Sequence, residues 1–202
     1  METQTHKKEA FAPLVLASTS RYRRELLARL QLRFDTAAPE IDESPLSGES
    51  GRDCAMRLAR LKARAIGSAY ANGLVIGSDQ VAECDGRRLD KPGTVEKAVE
   101  QLSWASGKEA VFNTAVTLFN AATGREQTRV VPTRVRYRRL AAPEIARYLS
   151  LEAAIDCAGS AKAEGLGISL LEAIEGSDPT ALIGLPLIAL CEMLREENVH
   201  IP

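Results

Sequence analysis

Apolar positions along the chain recur with two periods, and their alternation outlines a succession of strands and helices. Leu14-Val15-Leu16 is a short continuous apolar run, the pattern of a buried strand, and Leu26, Leu27 and Leu30 follow at helical spacing. Phe34 to Ala38 predicts a short strand leading into an acidic loop, Pro39 to Pro45. A long helix is predicted over Ser50 to Ala71, with Met56, Ala59, Ala63 and Ile66 on one face. Leu74 to Gly77 reads as a compact buried strand, Val81 to Leu89 as a hairpin about Asp85-Gly86, and Thr94 to Trp104 as a helix. Two longer strands, Ala110 to Asn120 and Gln127 to Arg138, are joined through Ala121 to Arg125. Pro143 to Leu149 is predicted helical, with proline in the first turn. The last helix begins near Leu185-Pro186, with Leu187, Ile188, Cys191 and Leu194 as its core face. Helices alternating with strands, and an antiparallel section late in the middle, predict an α/β fold.

The chain has 202 residues, enough for one domain or two small lobes around a cleft. We expect a polar tail over 1–12 and a single catalytic domain over 13–198. A hydrophobic content of 45% with 26% charged residues is ordinary for a soluble globular protein. The net charge of −1 supplies no global field toward nucleic acid or anionic membrane. No apolar run approaches membrane-spanning length, and the first twelve residues lack the apolar stretch of a signal peptide. A cytoplasmic protein is expected. In the second long strand Thr133, Val135 and Tyr137 alternate with Arg134, Arg136 and Arg138. The arginine row suits either a nucleic-acid stripe or the solvated face of a half-buried strand, and the near-zero net charge favours the second.

Histidine narrows the chemistry. The only two, His6 and His200, stand at opposite ends, which argues against a histidine triad or a multi-histidine metal site. Cys54, Cys84, Cys157 and Cys191 are scattered and read as buried thiols. Any catalysis must then rest on carboxylates, lysines, arginines and hydroxyls, an inventory that suits metal-assisted phosphate chemistry.

Several polar clusters interrupt the apolar elements. Ser18, Thr19 and Ser20 stand at the start of the first helix, with Arg21, Arg23 and Arg24 over the same end. Free backbone N–H groups, hydroxyls and guanidinium forks make a phosphate seat, although the segment also reads as an ordinary N-cap with a solvated basic face. Asp79 follows a buried strand directly, at the end where open α/β sheets bind ligands, and there it could hold a hard cation or activate water. Lys62, on an arginine-rich helix, and Lys91, in a loop before proline, are uninformative alone. Glu40, Asp42 and Glu43 form an acidic loop open to either solvent or a divalent ion. Cys157 to Gly167 is a small-residue loop with one cation and one carboxylate, whose glycines permit close approach of a ligand.

Together these segments resemble the Maf family of nucleoside triphosphate pyrophosphatases, from about Leu14 to Glu196. The resemblance runs in order through "LASTSRYRRELL", "APEIDE", "RLARLKA", "IGSDQV", "DKP", "SGK", "CAGSAKAEGLGI" and "GLPL". It implies an α/β fold with a central mixed, twisted sheet flanked by helices, a nucleotide-binding cleft between two lobes, a divalent-metal requirement and a homodimer. It also implies a catalytic base at Asp79, and phosphate and metal contacts at Ser18, Arg23, Glu43, Lys62 and Lys91. Tyr22, Gln80 and Glu164 stand where the dTTP-hydrolysing branch has arginine, threonine and glutamine, so the chain resembles the branch acting on 7-methyl-GTP. A carboxylate at Glu164 could accept from the N1 and 2-amino edge of guanine and offset the methylated ring's charge, while Tyr22 offers a flat face to a cationic base.

The expected mechanism has Mg²⁺ or Mn²⁺ held by Asp79, Glu43 and phosphate oxygens. Lys62, Lys91 and Arg23 neutralise the triphosphate, Ser18 binds a phosphate oxygen, and Asp79 directs water at the α-phosphorus. Rival readings are the same chemistry on dTTP, UTP or deaminated purine triphosphates, and a nucleotide-binding regulator of cell division. The Asp-Lys-Pro around Lys91 departs from the family's usual glycine at Asp90, and Glu109 to Asn113 departs from its polar or aromatic residues.

Overall fold

In the computed structural model, which describes residues 12–202, the first apolar run becomes β1 (Leu14–Ala17), buried along its whole length. It is flanked in parallel by β2 (Asp35–Ala37) and β3 (Leu74–Cys84). The chain reverses at Asp85-Gly86 into β4 (Arg87–Arg88), both turn residues having positive φ (50° and 73°) as a two-residue hairpin requires. β3 also pairs antiparallel with β5 (Glu109–Asn120), followed by β6 (Glu126–Tyr137) and β7 (Leu171–Gly176). The result is a seven-stranded mixed sheet in the order β2-β1-β3-β5-β6-β7, with β4 on the side of β3.

The helices start where short polar side chains satisfy orphan N–H groups. Ser20 caps α1 (Arg21–Ala28) by accepting from the Arg23 amide, and Ser50 caps α2 (Gly51–Gly67) by accepting from that of Asp53. Thr94 does the same for α3 (Val95–Ala105) at Lys97. α4 (Ala142–Leu151) carries Pro143 in its first turn. The buried Asp178 takes the corresponding role for α5 (Leu187–Glu196), accepting from the Ile188 amide at 2.7 Å. α2 lies against β3 so closely that a Cβ at Gly77 would collide with the Ala59 carbonyl and the Ala63 amide. This contact sets the residues of α2 directly over the middle of β3.

Several expected elements need correction. β3 runs unbroken from Leu74 to Cys84, so Asp79 lies in mid-strand rather than at a strand end. Ser78, Asp79 and Gln80 stay in the ladder because β5 pairs with them at Val116, Ala115 and Thr114. The long helix stops at Gly67; beyond it, Ala69 and Tyr70 bond only three residues back. α5 buries Leu187, Leu190, Met193 and Leu194, leaving Ile188 53% exposed and Cys191 half-buried, so its core face is rotated from the expected one. Cys157 is likewise half-buried, whereas Cys54 and Cys84 are buried. β7 was not foreshadowed. The expected polar tail falls almost entirely outside the described residues.

The arginine row on β6 is laced with carboxylates: Arg134 meets Glu109 at 3.1 Å, Arg136 meets Glu172 at 3.2 Å, and Arg138 meets Glu144 at 3.4 Å. No described helix is long and apolar enough to cross a membrane.

Candidate active site

The strand alternation of β3 sends its polar residues to opposite faces. Asp79 shares a face with Gly77 and meets Lys62, one of the buried positions of α2. Lys62 is 5% exposed and Asp79 7%, and Lys62 Nζ donates to Asp79 Oδ1 at 2.7 Å. The same ammonium donates to Glu43 Oε2 at 2.8 Å. A buried ammonium is tolerable only with such partners, so the two carboxylates account for a lysine at a core position of α2.

Glu43 reaches Lys62 because α2 also anchors the acidic loop. Arg57 grips Glu49 with both arms, at 2.6 Å and 2.8 Å, and donates to the Ser44 carbonyl at 3.0 Å. The bidentate guanidinium holds the Glu49 carboxyl down at about 2. Glu40 and Asp42 remain exposed, so Glu43 alone of the three brings its carboxylate to Lys62.

Beside this array lies the start of α1. The Ser18 hydroxyl, just past β1, accepts from the Ser20 amide at 3.1 Å and from Arg23 Nη1 at 3.4 Å. Arg23 Nε donates to the Gly184 carbonyl at 2.9 Å, which pins the guanidinium between α1 and the turn before α5. Burial pushes the Arg23 guanidinium down, and the attraction of Asp79 and Glu43 opposes it. Gln80, on the other face of β3, is bound into the wall: its amide nitrogen meets Thr114 Oγ1 at 2.9 Å and the Ala181 and Leu182 carbonyls at 3.1 Å and 3.0 Å.

Tyr22 is held from two sides. Its hydroxyl donates to Asp156 Oδ2 at 3.0 Å and accepts from Arg21 Nη2 at 2.9 Å. Arg21 also stands over the Tyr22 ring, 4.7 Å from its centroid, so one aromatic face already has a cation. Lys91 and Glu164 are exposed on the rim. Ser18, Tyr22, Arg23, Glu43, Lys62, Asp79, Gln80, Lys91 and Glu164 all line one cleft of about 630 Å³, within the range of small-molecule sites. The residues marked by the family resemblance are thus brought to one cleft, whereas Arg24, Glu40 and Asp42 do not line it.

Others were missed. Arg88, Asp156 and Lys162 line the same cavity. Lys162 is the cation of the small-residue loop, given no role of its own there, and Asp156 stands one residue before that loop, so their pairing is local to this segment. Arg88 lay inside the predicted hairpin with no local signal.

Among the described residues no group of three or more metal-ligating side chains is gathered. Glu43 and Asp79 nonetheless suit a hard cation of the Mg²⁺ kind, which takes one or two carboxylates and completes its shell with water and substrate phosphates. Lys62 occupies only one oxygen of each carboxylate.

A polar cleft with a buried carboxylate facing arginine and lysine makes this an α/β protein suited to polyanionic small molecules. The chain belongs to the Maf family: the family model for Maf-like proteins matches residues 13–197. It is 54% identical over 192 residues to a 7-methyl-GTP pyrophosphatase of Aromatoleum aromaticum, covering 95% of this chain and 99% of that one. Proteins of the same name from Ralstonia nicotianae (53% identical, 94% and 97% covered) and Pseudomonas aeruginosa (53%, 94% and 98%) are similar over the same span. The Ham1 protein of Staphylococcus aureus superposes on 63% of this chain and 72% of its own, with a TM-score of 0.44 at 16% identity.

Proposed function

We propose that this chain hydrolyses 7-methyl-GTP to 7-methyl-GMP and diphosphate. The observation that carries the reading is the array Glu43–Lys62–Asp79, set beside the Ser18–Arg23 seat in one cleft. Near full-length similarity to proteins named for that activity supports the substrate.

In this reading Lys62 occupies one oxygen of Asp79, and the other oxygen orients the attacking water and accepts its proton. The water oxygen bonds to the α-phosphorus, the bridging α–β P–O bond breaks, and diphosphate leaves with the electron pair. Arg23 and Lys91 neutralise the triphosphate, while Ser18 and the first turn of α1 hold a phosphate oxygen. Asp79 and Glu43 would hold Mg²⁺ or Mn²⁺, whose positive charge stabilises the departing diphosphate when bound. Tyr22 and Glu164 face the base, and Gln80 braces the cleft wall at 181–182. A cytoplasmic homodimer belongs to the same reading.

Turnover in isotopically labelled water tests the attack. Label in 7-methyl-GMP is expected. Label confined to diphosphate, or release of single phosphate, would contradict attack at the α-phosphorus.

A further inference from the structure

The rim of the cleft holds a charge cluster that the mechanism leaves unused. Asp156 joins it together: Oδ2 accepts from the Tyr22 hydroxyl at 3.0 Å, and Oδ1 lies 3.6 Å from Lys162 Nζ. The Lys162 side chain is only 16% exposed and lines the cleft. An ion pair at that separation is too long for a full hydrogen bond, so the ammonium keeps protons for a ligand. Lys162 and Glu164 belong to one tight turn, closed by the Gly165 amide on the Lys162 carbonyl at 3.0 Å, and both line the same cavity.

We propose that Lys162 is a specificity-determining residue that reads guanine O6, while Glu164, in the same turn, accepts from N1–H and the 2-amino group. The proposal rests on the purine-triphosphate reading above. The match is one of donor and acceptor. Guanine offers an acceptor at O6 followed by donors at N1 and the 2-amino group, whereas adenine offers a donor at position 6 and an acceptor at N1. An ammonium beside a carboxylate therefore fits guanine and leaves adenine with donor against donor and acceptor against acceptor.

Charge points the same way. A lone lysine would repel an N7-methylated, cationic ring, but Asp156, shared with the exposed Arg21 at 3.8 Å, stands beside Lys162 and offsets part of its charge. Glu164 remains to offset the ring. Burial disfavours the Lys162 ammonium, yet the Tyr22 hydroxyl and the Asp156 carboxylate outweigh it and raise its pKa, keeping the donor charged at neutral pH. Asp156 is then a positioning residue, fixing Tyr22 and Lys162 relative to one another.

The test pairs a protein change with a ligand change. Wild type, Lys162→Met and Lys162→Arg are assayed on 7-methyl-GTP and on 7-methyl-6-thioguanosine triphosphate, in which sulfur, a weaker acceptor, replaces O6 while N1–H and the 2-amino group are kept. Thermal melting of each variant checks that the fold persists. Exchanging O6 for sulfur should cost wild type about 10-fold in kcat/KM, a part of the worth of a hydrogen bond to a charged group. Lys162→Met should lose at least that factor on 7-methyl-GTP, mainly through KM, and show little further loss on the thio substrate. Lys162→Arg should restore most of it. A Lys162→Met enzyme that still discriminates the two substrates as wild type does overturns the inference, with the hydrolase reading intact. Were wild type to turn over another triphosphate instead, that reading falls, and equal competition by the two purines would overturn the O6 contact separately.

Discussion

Lys62 Nζ lies 2.7 Å from Asp79 Oδ1 and 2.8 Å from Glu43 Oε2, so one ammonium from the buried face of α2 holds two carboxylates from different segments. Lys62 takes only one oxygen of Asp79, and the proposed reaction assigns the other to the attacking water. Asp79→Asn preserves the side chain's shape and removes its capacity to accept a proton. A fall in kcat of about 10²- to 10⁴-fold is expected, with a cooperative melting transition retained. Wild-type turnover in the folded variant would remove Asp79 from the chemistry.

Lys62→Met leaves the buried Asp79 without its cation, whereas the exposed Glu43 recovers its hydration. Breaking a buried pair from one side costs about 3 kcal/mol. Urea denaturation at neutral pH should show a loss of that order, and Asp79→Asn in the same background should recover part of it. Additive losses would show that the two side chains are not coupled.

The acidic loop supplies a pH dependence. Glu49 has its folded pKa depressed to about 2 by Arg57, below its ordinary value of 4.5. A depressed carboxylate stabilises the fold fully above the unfolded pKa, and that contribution disappears as pH falls from 4.5 toward 2. Solvent screening brings its worth to about 1 kcal/mol. Glu49→Gln should flatten the acid limb of the stability curve and, by loosening the loop that carries Glu43, raise KM at neutral pH. An unchanged acid limb would place the pair outside the stability balance.

Substrate choice should move with the rim. Tyr22→Arg, Gln80→Thr and Glu164→Gln combined are expected to shift preference from 7-methyl-GTP toward dTTP, read as the ratio of kcat/KM values. Gln80→Thr also removes the ties to the Ala181 and Leu182 carbonyls, so a stability loss of about 1 kcal/mol per lost hydrogen bond should accompany the shift. An unshifted ratio would remove these positions from the selectivity set.

Local chemistry made part of this legible from sequence. The end of β1 and the start of α1 are marked by an apolar run meeting Ser20, and the β3–β4 turn by Asp85-Gly86. What failed was whatever depended on a distant partner. Lys62 is uninformative on its own because its carboxylates come from the acidic loop and from β3. Ser78, Asp79 and Gln80 looked like a strand end because polar residues in mid-strand usually mean solvent; here they meet α2, β5 and the turn at 181–184. α5 is rotated from the face that its periodicity suggested, with Met193 buried and Ile188 outward. The short edge strand β7 has no buried run to announce it. The resemblance to Maf proteins gathered residues that composition and periodicity could not connect, and they meet in one cleft.

The most direct measurement is diphosphate release from 7-methyl-GTP, GTP, dTTP, UTP and ITP, each with Mg²⁺, with Mn²⁺ and with a chelator. Metal-dependent release that is fastest on 7-methyl-GTP is expected, with 7-methyl-GMP as the other product. Fastest release on dTTP or UTP would contradict the reading of Tyr22, Gln80 and Glu164, and tight triphosphate binding without release from any of the five would contradict the hydrolase itself.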